Sequence, residues 1–223
     1  VQRNPATYEH VPPETVGNER RILISELSGR SSVYAKATPE LSNDPDAMKA
    51  VLERVQDMEH EGYQFEGAEA SFSLLVEKIL GRHKPYFDLK GFRVISEIDE
   101  NGVERTEATI HVSVAGRREH TAADGNGPVN ALDGALRRAL LPFYPGLRGV
   151  QLSNYKVRIV NPLAATAAKV LVLIESRDDR DRWTTAGVSE NIIEASWIAL
   201  VDSVEFKLMK DGTKPPEGGP ARE

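Results

Sequence analysis

Five histidines are the residues of this 223-residue chain best suited to metal or acid–base work: His10, His60, His83, His111 and His120. None stands in an HxH or HExxH spacing with a neighbouring carboxylate, so no tight metal-ligand motif is present. His111 and His120 can meet across a hairpin; that fits a small polar site or an ordinary pair on an outer sheet face. The chain has no cysteine, which removes disulfides, thiolate chemistry and Cys-ligated zinc and is compatible with a cytoplasmic protein. Ser28-Gly29-Arg30-Ser31-Ser32 could touch a phosphate or coenzyme, but it lacks P-loop spacing and reads equally as a turn. Gly125-Asn126-Gly127 is not GxGxxG and follows an antiparallel-looking hairpin, which argues against a dinucleotide fold.

A different chemistry comes from two glycine-containing loops that each lead into a helix, Gly125 to Val129 and Gly187 to Glu190. The first turn of a helix exposes unpaired N–H groups and a positive dipole end, so each loop could hold a carboxylate. Leu141, Tyr144 and Leu147 could accommodate an aliphatic group nearby. The same loops are also explained as tight turns where the backbone requires glycine.

The elements that must carry these loops follow from hydrophobic period. Asp44-Pro45 caps and opens a helix with Met48, Val51, Leu52, Val55 and Met58 at helical spacing. A second helix carries Phe72, Leu75, Val76 and Ile79 and stops at Gly81. From about residue 87 the period becomes 2. Strands are predicted over 89–98, 106–115 and 117–122, joined by Glu100-Asn101-Gly102 and Ala115-Gly116, and a helix opens at Pro128. The order then repeats: strands over 155–160, 169–175 and 182–186, with the run 169–175 apolar enough to lie centrally in its sheet. A last helix follows, capped by Ser189, with Ile193, Trp197, Leu200, Val201, Val204 and Leu208 on one face.

The fold class is α+β. A mostly helical linker region (1–86) precedes two β-β-β-α units (87–145 and 150–209) that pack together with pseudo-twofold symmetry, and 210–223 form a disordered tail. With 28 basic and 34 acidic residues the formal net charge is −6, a poor match to nucleic acid. No apolar run reaches the length that spans a bilayer, so a membrane role is not expected. The first residues carry no secretory signal and read as cut from a longer chain.

Five segments resemble the C-terminal half of the 2-isopropylmalate and citramalate synthase family. They are Gly17 to Arg21, Ser25 to Arg30, Gly62 to Glu66, Gly125 to Val129 and Ser189 to Ser196; Val16 to Arg30 and Trp197 to Leu208 look more like the citramalate branch. The resemblance implies an enzyme that condenses acetyl-CoA with a 2-oxo acid, pyruvate in the citramalate case, on a divalent-metal TIM barrel. That barrel and a linker histidine are expected upstream, so this chain alone is expected neither to catalyse nor to need a cofactor. Ser28 to Tyr34 resembles the linker subdomain, with Tyr34 within one position of a tyrosine some members use. The doubled unit resembles the family's regulatory domain, which forms a homodimer and binds an end-product amino acid. By motif, Asn126, Gly127, Pro128, Gly187, Val188, Ser189 and Glu190 become effector contacts, and Leu141 and Tyr144 line the side-chain pocket. Isoleucine is the effector expected for the citramalate branch and leucine for the isopropylmalate branch.

Overall fold

The structure, a computed structural model, describes Thr15 and residues 44–161 and 167–215. The expectations for His10, for Ser28 to Tyr34 including Tyr34 itself, and for 216–223 of the tail lie outside the described residues.

Helix α1 (Pro45–Glu61) starts where Asp44 accepts the Ala47 N–H at 3.0 Å, with proline in its first turn. It ends at Gly62 with φ 111°, a left-handed cap that favours glycine. A Cβ there would also sit 2.6 Å from Val160 Cγ1. Helix α2 (Glu69–Ile79) folds back, and Met48, Val51, Val55, Phe65, Phe72 and Val76 close a small core between the two. The expected helical hairpin is present.

Strands β1 (Asp88–Ile98), β2 (Glu104–Val114) and β3 (Arg117–Gly125) form one antiparallel sheet in sequence order, followed by α3 (Pro128–Leu140). After a 3-10 turn at Pro145–Gly149, β4 (Gln151–Ile159), β5 (Val170–Arg177) and β6 (Arg182–Ser189) form a second sheet of the same order, followed by α4 (Ile192–Lys210). The apolar run is the central strand, as expected. The repeat holds at the level of single contacts. Thr121 opposite Ile110 donates to the Ala135 carbonyl at 2.8 Å; Thr185 opposite Ile174 donates to the Ala199 carbonyl at 2.7 Å. Each first strand has an irregularity at the matching place, between Leu89 and Gly91 and between Leu152 and Asn154.

Each helix lies over the second and third strands of its own sheet, and the two helices touch. One core runs through both units, from Ile110, Leu132 and Leu136 to Ile174, Trp183 and Leu200. Phe92 of β1 stacks on Trp197 of α4 with ring centroids 5.3 Å apart. Ala68, with Tyr63 and Val160 beside it, packs on Leu171, Ala186 and Val188, so the hairpin covers the outer face of the second sheet.

Three expectations are corrected. The strands before the helices run further than the period suggests, β3 to Gly125 and β6 to Ser189, so Gly187 and Val188 belong to a strand and not to the entrance loop. The cap of α4 is Asn191, whose side chain accepts the Ile193 N–H at 2.8 Å, and not Ser189. Gly187 serves close approach: a Cβ would lie 2.1 Å from the Ala195 carbonyl oxygen. The expected tail is corrected at its start, since α4 continues through Lys210.

Gly187→Ala is therefore expected to lower stability by about 1–3 kcal/mol or more through overpacking. Gly127→Ala, where a Cβ meets nothing within 4 Å, is expected to stay within about 0.5 kcal/mol. Urea unfolding of both variants checks the contrast.

Candidate functional site

The two helix entrances differ in what their own side chains already fill. At α4 the side-chain Oδ1 of Asn191 accepts the Ile193 N–H, Ser189 Oγ accepts the Asn191 N–H at 3.0 Å, and Ser189 donates to Glu194. The positive end of α4 is thus served by its own residues. At α3 the cap residue is Gly127, and no side chain caps the first turn. Asn130 Oδ1 instead accepts the N–H of Asn126 at 3.1 Å, which holds the loop back on the helix. Asn126, Gly127 and Pro128 therefore stand around a helix end with unfilled donors.

A groove of about 490 Å³ is lined by Glu97, Glu104, Glu107, Asp124, Arg105 and Gly125, among others; Glu97, Arg105, Glu107 and Asp124 stand on the outer face of the first sheet, opposite α3, and only Gly125 belongs to the entrance as well. Four carboxylates against one guanidinium make it anionic.

The structure does not bring all expected contacts together within one chain. Leu141 and Tyr144 lie past the C-terminal end of α3, a 13-residue helix, so about 20 Å separates them from Asn126 to Pro128. Leu141 is half-buried, while Tyr144 is buried and its hydroxyl donates to the Tyr86 carbonyl at 2.7 Å. Burial, then the nearby Tyr86 and Glu205, push that phenol up to about 12. Gly187 is buried beneath α4 and Val188 packs against Leu171 and Ala68, leaving Ser189 and Glu190 at the entrance itself. His111 and His120 are cross-strand partners with rings stacked 3.9 Å apart on the outer face of the first sheet.

Among the described residues no group of three or more His, Asp or Glu side chains is placed to hold a metal ion. No described helix is long and apolar enough to cross a membrane. A second groove, about 530 Å³, is lined by Gly149, Gln151 and the β5–β6 turn, where Arg177, Arg180 and Arg182 alternate with Asp178, Asp179 and Asp181. Two of its carboxylates are paired with lysines of α4. Lys207 lies 2.6 Å from Asp178 and 2.7 Å from Asp211, and Lys210 lies 2.7 Å from Asp181.

One set of residues escaped the sequence reading. His83, Asp202 and Glu205 form a largely buried polar group between α2, α4 and the approach to β1. Their signal was present: two carboxylates three apart, set within the apolar stripe of α4.

With the geometry in place, comparison with known proteins is decisive. Residues 66–208 match the family model described as the LeuA allosteric (dimerisation) domain. The chain belongs to that family. Residues 1–63 match a second model, the homocitrate synthase post-HMGL domain-like family; the two matches meet between α1 and α2. Over 94% of its length the chain is 55% identical to an (R)-citramalate synthase of Geobacter sulfurreducens. It is 50% identical over 95% of its length to one of Aquifex aeolicus and 40% identical over 97% to one of Streptomyces coelicolor. The chain spans 40%, 41% and 41% of these relatives. Such relatives place this LeuA-family chain on the citramalate synthase side.

The ion pair at the second groove makes a pH prediction. Burial alone would raise the Asp178 carboxyl, but Lys207 and the N–H groups of Arg180 and Asp181 outweigh it and lower it from 3.8 to about 2. Its stabilisation, about 2 kcal/mol, is present above about pH 4 and lost as pH falls toward 2. Urea unfolding from pH 7 to pH 2 should show that loss in the parent chain and a smaller one in Asp178→Asn.

Proposed function

We propose that this chain is the allosteric, dimerising region of a citramalate-synthase-like enzyme and binds the end product isoleucine for feedback inhibition. In this reading an upstream TIM barrel of the same protein condenses acetyl-CoA with pyruvate, and the divalent metal and acetyl-CoA belong to that barrel. The observation that carries the reading is the identity to (R)-citramalate synthases across nearly the whole chain, together with the match to a domain described as allosteric.

The chemistry of the α3 entrance supports an amino acid as the ligand. An amino acid presents a carboxylate to the uncapped first turn of α3. Asn126, Gly127 and Pro128 form the head-group site. Leu141, half-buried at the far end of α3, can reach the same ligand only from a second copy of the chain, which ties effector binding to the homodimer; Tyr144 is buried in its own unit and would have to be uncovered to do so. Ser189 and Glu190 flank the matching entrance of the second unit. Occupancy regulates only if the two states of the dimer bind the ligand with different affinity.

Isoleucine and leucine differ in where one methyl branches, a difference worth about 1–3 kcal/mol in a shaped pocket. Calorimetry of the chain with each amino acid decides the matter. Isoleucine is expected to bind roughly tenfold or more tightly than leucine. Stronger binding of leucine would assign an isopropylmalate synthase effector instead, and no heat with either would leave a structural dimerisation domain.

A further inference from the structure

The hairpin α1–α2 is joined to the two repeat units in different ways. Covalently it leads through residues 80–87 into β1 of the first unit. Non-covalently it rests on the second. Ser71 of α2 donates to Asp202 of α4 at 2.7 Å and accepts the Ala186 N–H of β6 at 3.0 Å, so one hydroxyl closes both the sheet edge and the helix contact. Lys78 of α2 lies 3.5 Å from the other Asp202 oxygen.

The connecting segment is pinned from both sides. On the first unit, Tyr144 donates to the Tyr86 carbonyl at 2.7 Å, and the two rings meet edge to face at 5.9 Å. On the second, Tyr86 donates to the Thr213 carbonyl, just past α4, at 3.1 Å. His83 Nε2 lies 3.0 Å from Glu205 Oε2 of α4, and both side chains are more than nine-tenths buried. That nitrogen makes no aligned hydrogen bond, so the contact is one of close approach. Tyr86 is thus held by both units at once, and a change in the angle between them must pull on one of its two bonds.

We propose that His83 to Phe87 is a strap joining the two units, through which their relative orientation sets how firmly the α1–α2 hairpin is docked at Ser71 and Asp202. The hairpin lies on the N-terminal side of the repeat, so its release or docking would be what the rest of the protein senses. This rests on the allosteric reading above for its biological meaning, but the joint itself is a property of the described chain.

Amide hydrogen exchange, read peptide by peptide on the whole chain, tests it. Asp202→Asn and Tyr86→Phe are each expected to speed exchange in residues 45–79 by roughly tenfold or more while β2 and β5 keep their protection. Unchanged exchange in the hairpin, or equal loss throughout the chain, would overturn the strap. Adding excess isoleucine separates the two claims. A shift in hairpin exchange in the parent chain that vanishes in both variants is the expected result, and a shift surviving in both would also overturn the strap. If isoleucine leaves no trace in calorimetry, the effector reading fails, and the ligand-free comparison still decides the strap.

Discussion

A helix about 10 Å across covers roughly two strands spaced 4.8 Å apart, yet each unit of this chain supplies one helix for three strands. The shortfall governs the architecture. Helices α3 and α4 each sit over the second and third strands of their own sheet, fixed there by the Thr121 and Thr185 bonds to helix carbonyls. The inner face of each first strand must then find cover elsewhere. Packing the two units together meets part of the need, because Trp197 of α4 reaches Phe92 of β1. The remainder is not met among the described residues. Ile98 of β1 and Ile159 of β4 stay 73% and 61% exposed, and Leu89 and Val157 on the same inner faces are exposed as well.

The outer faces break the symmetry. On the second sheet Leu171, Ala186 and Val188 are apolar and lie under the hairpin. On the first, Arg93, Thr109, His111, Arg118 and His120 face away from the core. Only one unit can therefore dock the hairpin, and the segment into β1 has to cross from that dock to the other unit. The buried tyrosines and carboxylates at this crossing are a consequence of that route. Their cost in desolvation is offset where each finds a partner, as Asp202 does in Ser71 and Lys78.

Much of this was legible in the residues. The alternation of Ile110, Val112 and Val114 shows one buried face, while the unbroken apolar run 170–174 shows two, and the structure supplies a cover on each side of β5. The Asn101-Gly102 turn and the Asp44-Pro45 helix start depend on local chemistry and stand where expected. What escaped the sequence depends on approach between distant elements. Gly187 looks like a turn residue until Ala195 is seen against it, and Ser189 looks like a cap until Asn191 takes that role two residues later. The candidate site was legible as a list of residues but not as a geometry. Helix length alone sets Tyr144 about 20 Å from Asn126, a separation that motif order conceals.

The account turns on the uncovered first strands being completed by a second copy of the chain, since that also assembles the proposed effector site. Sedimentation equilibrium at micromolar concentration measures this directly. The parent chain should have twice the 24.6 kDa of one copy, and the double substitution Val157→Glu with Ile159→Glu should return it to a folded monomer. A parent chain that sediments as a monomer, or a double variant that remains a dimer, would contradict the account.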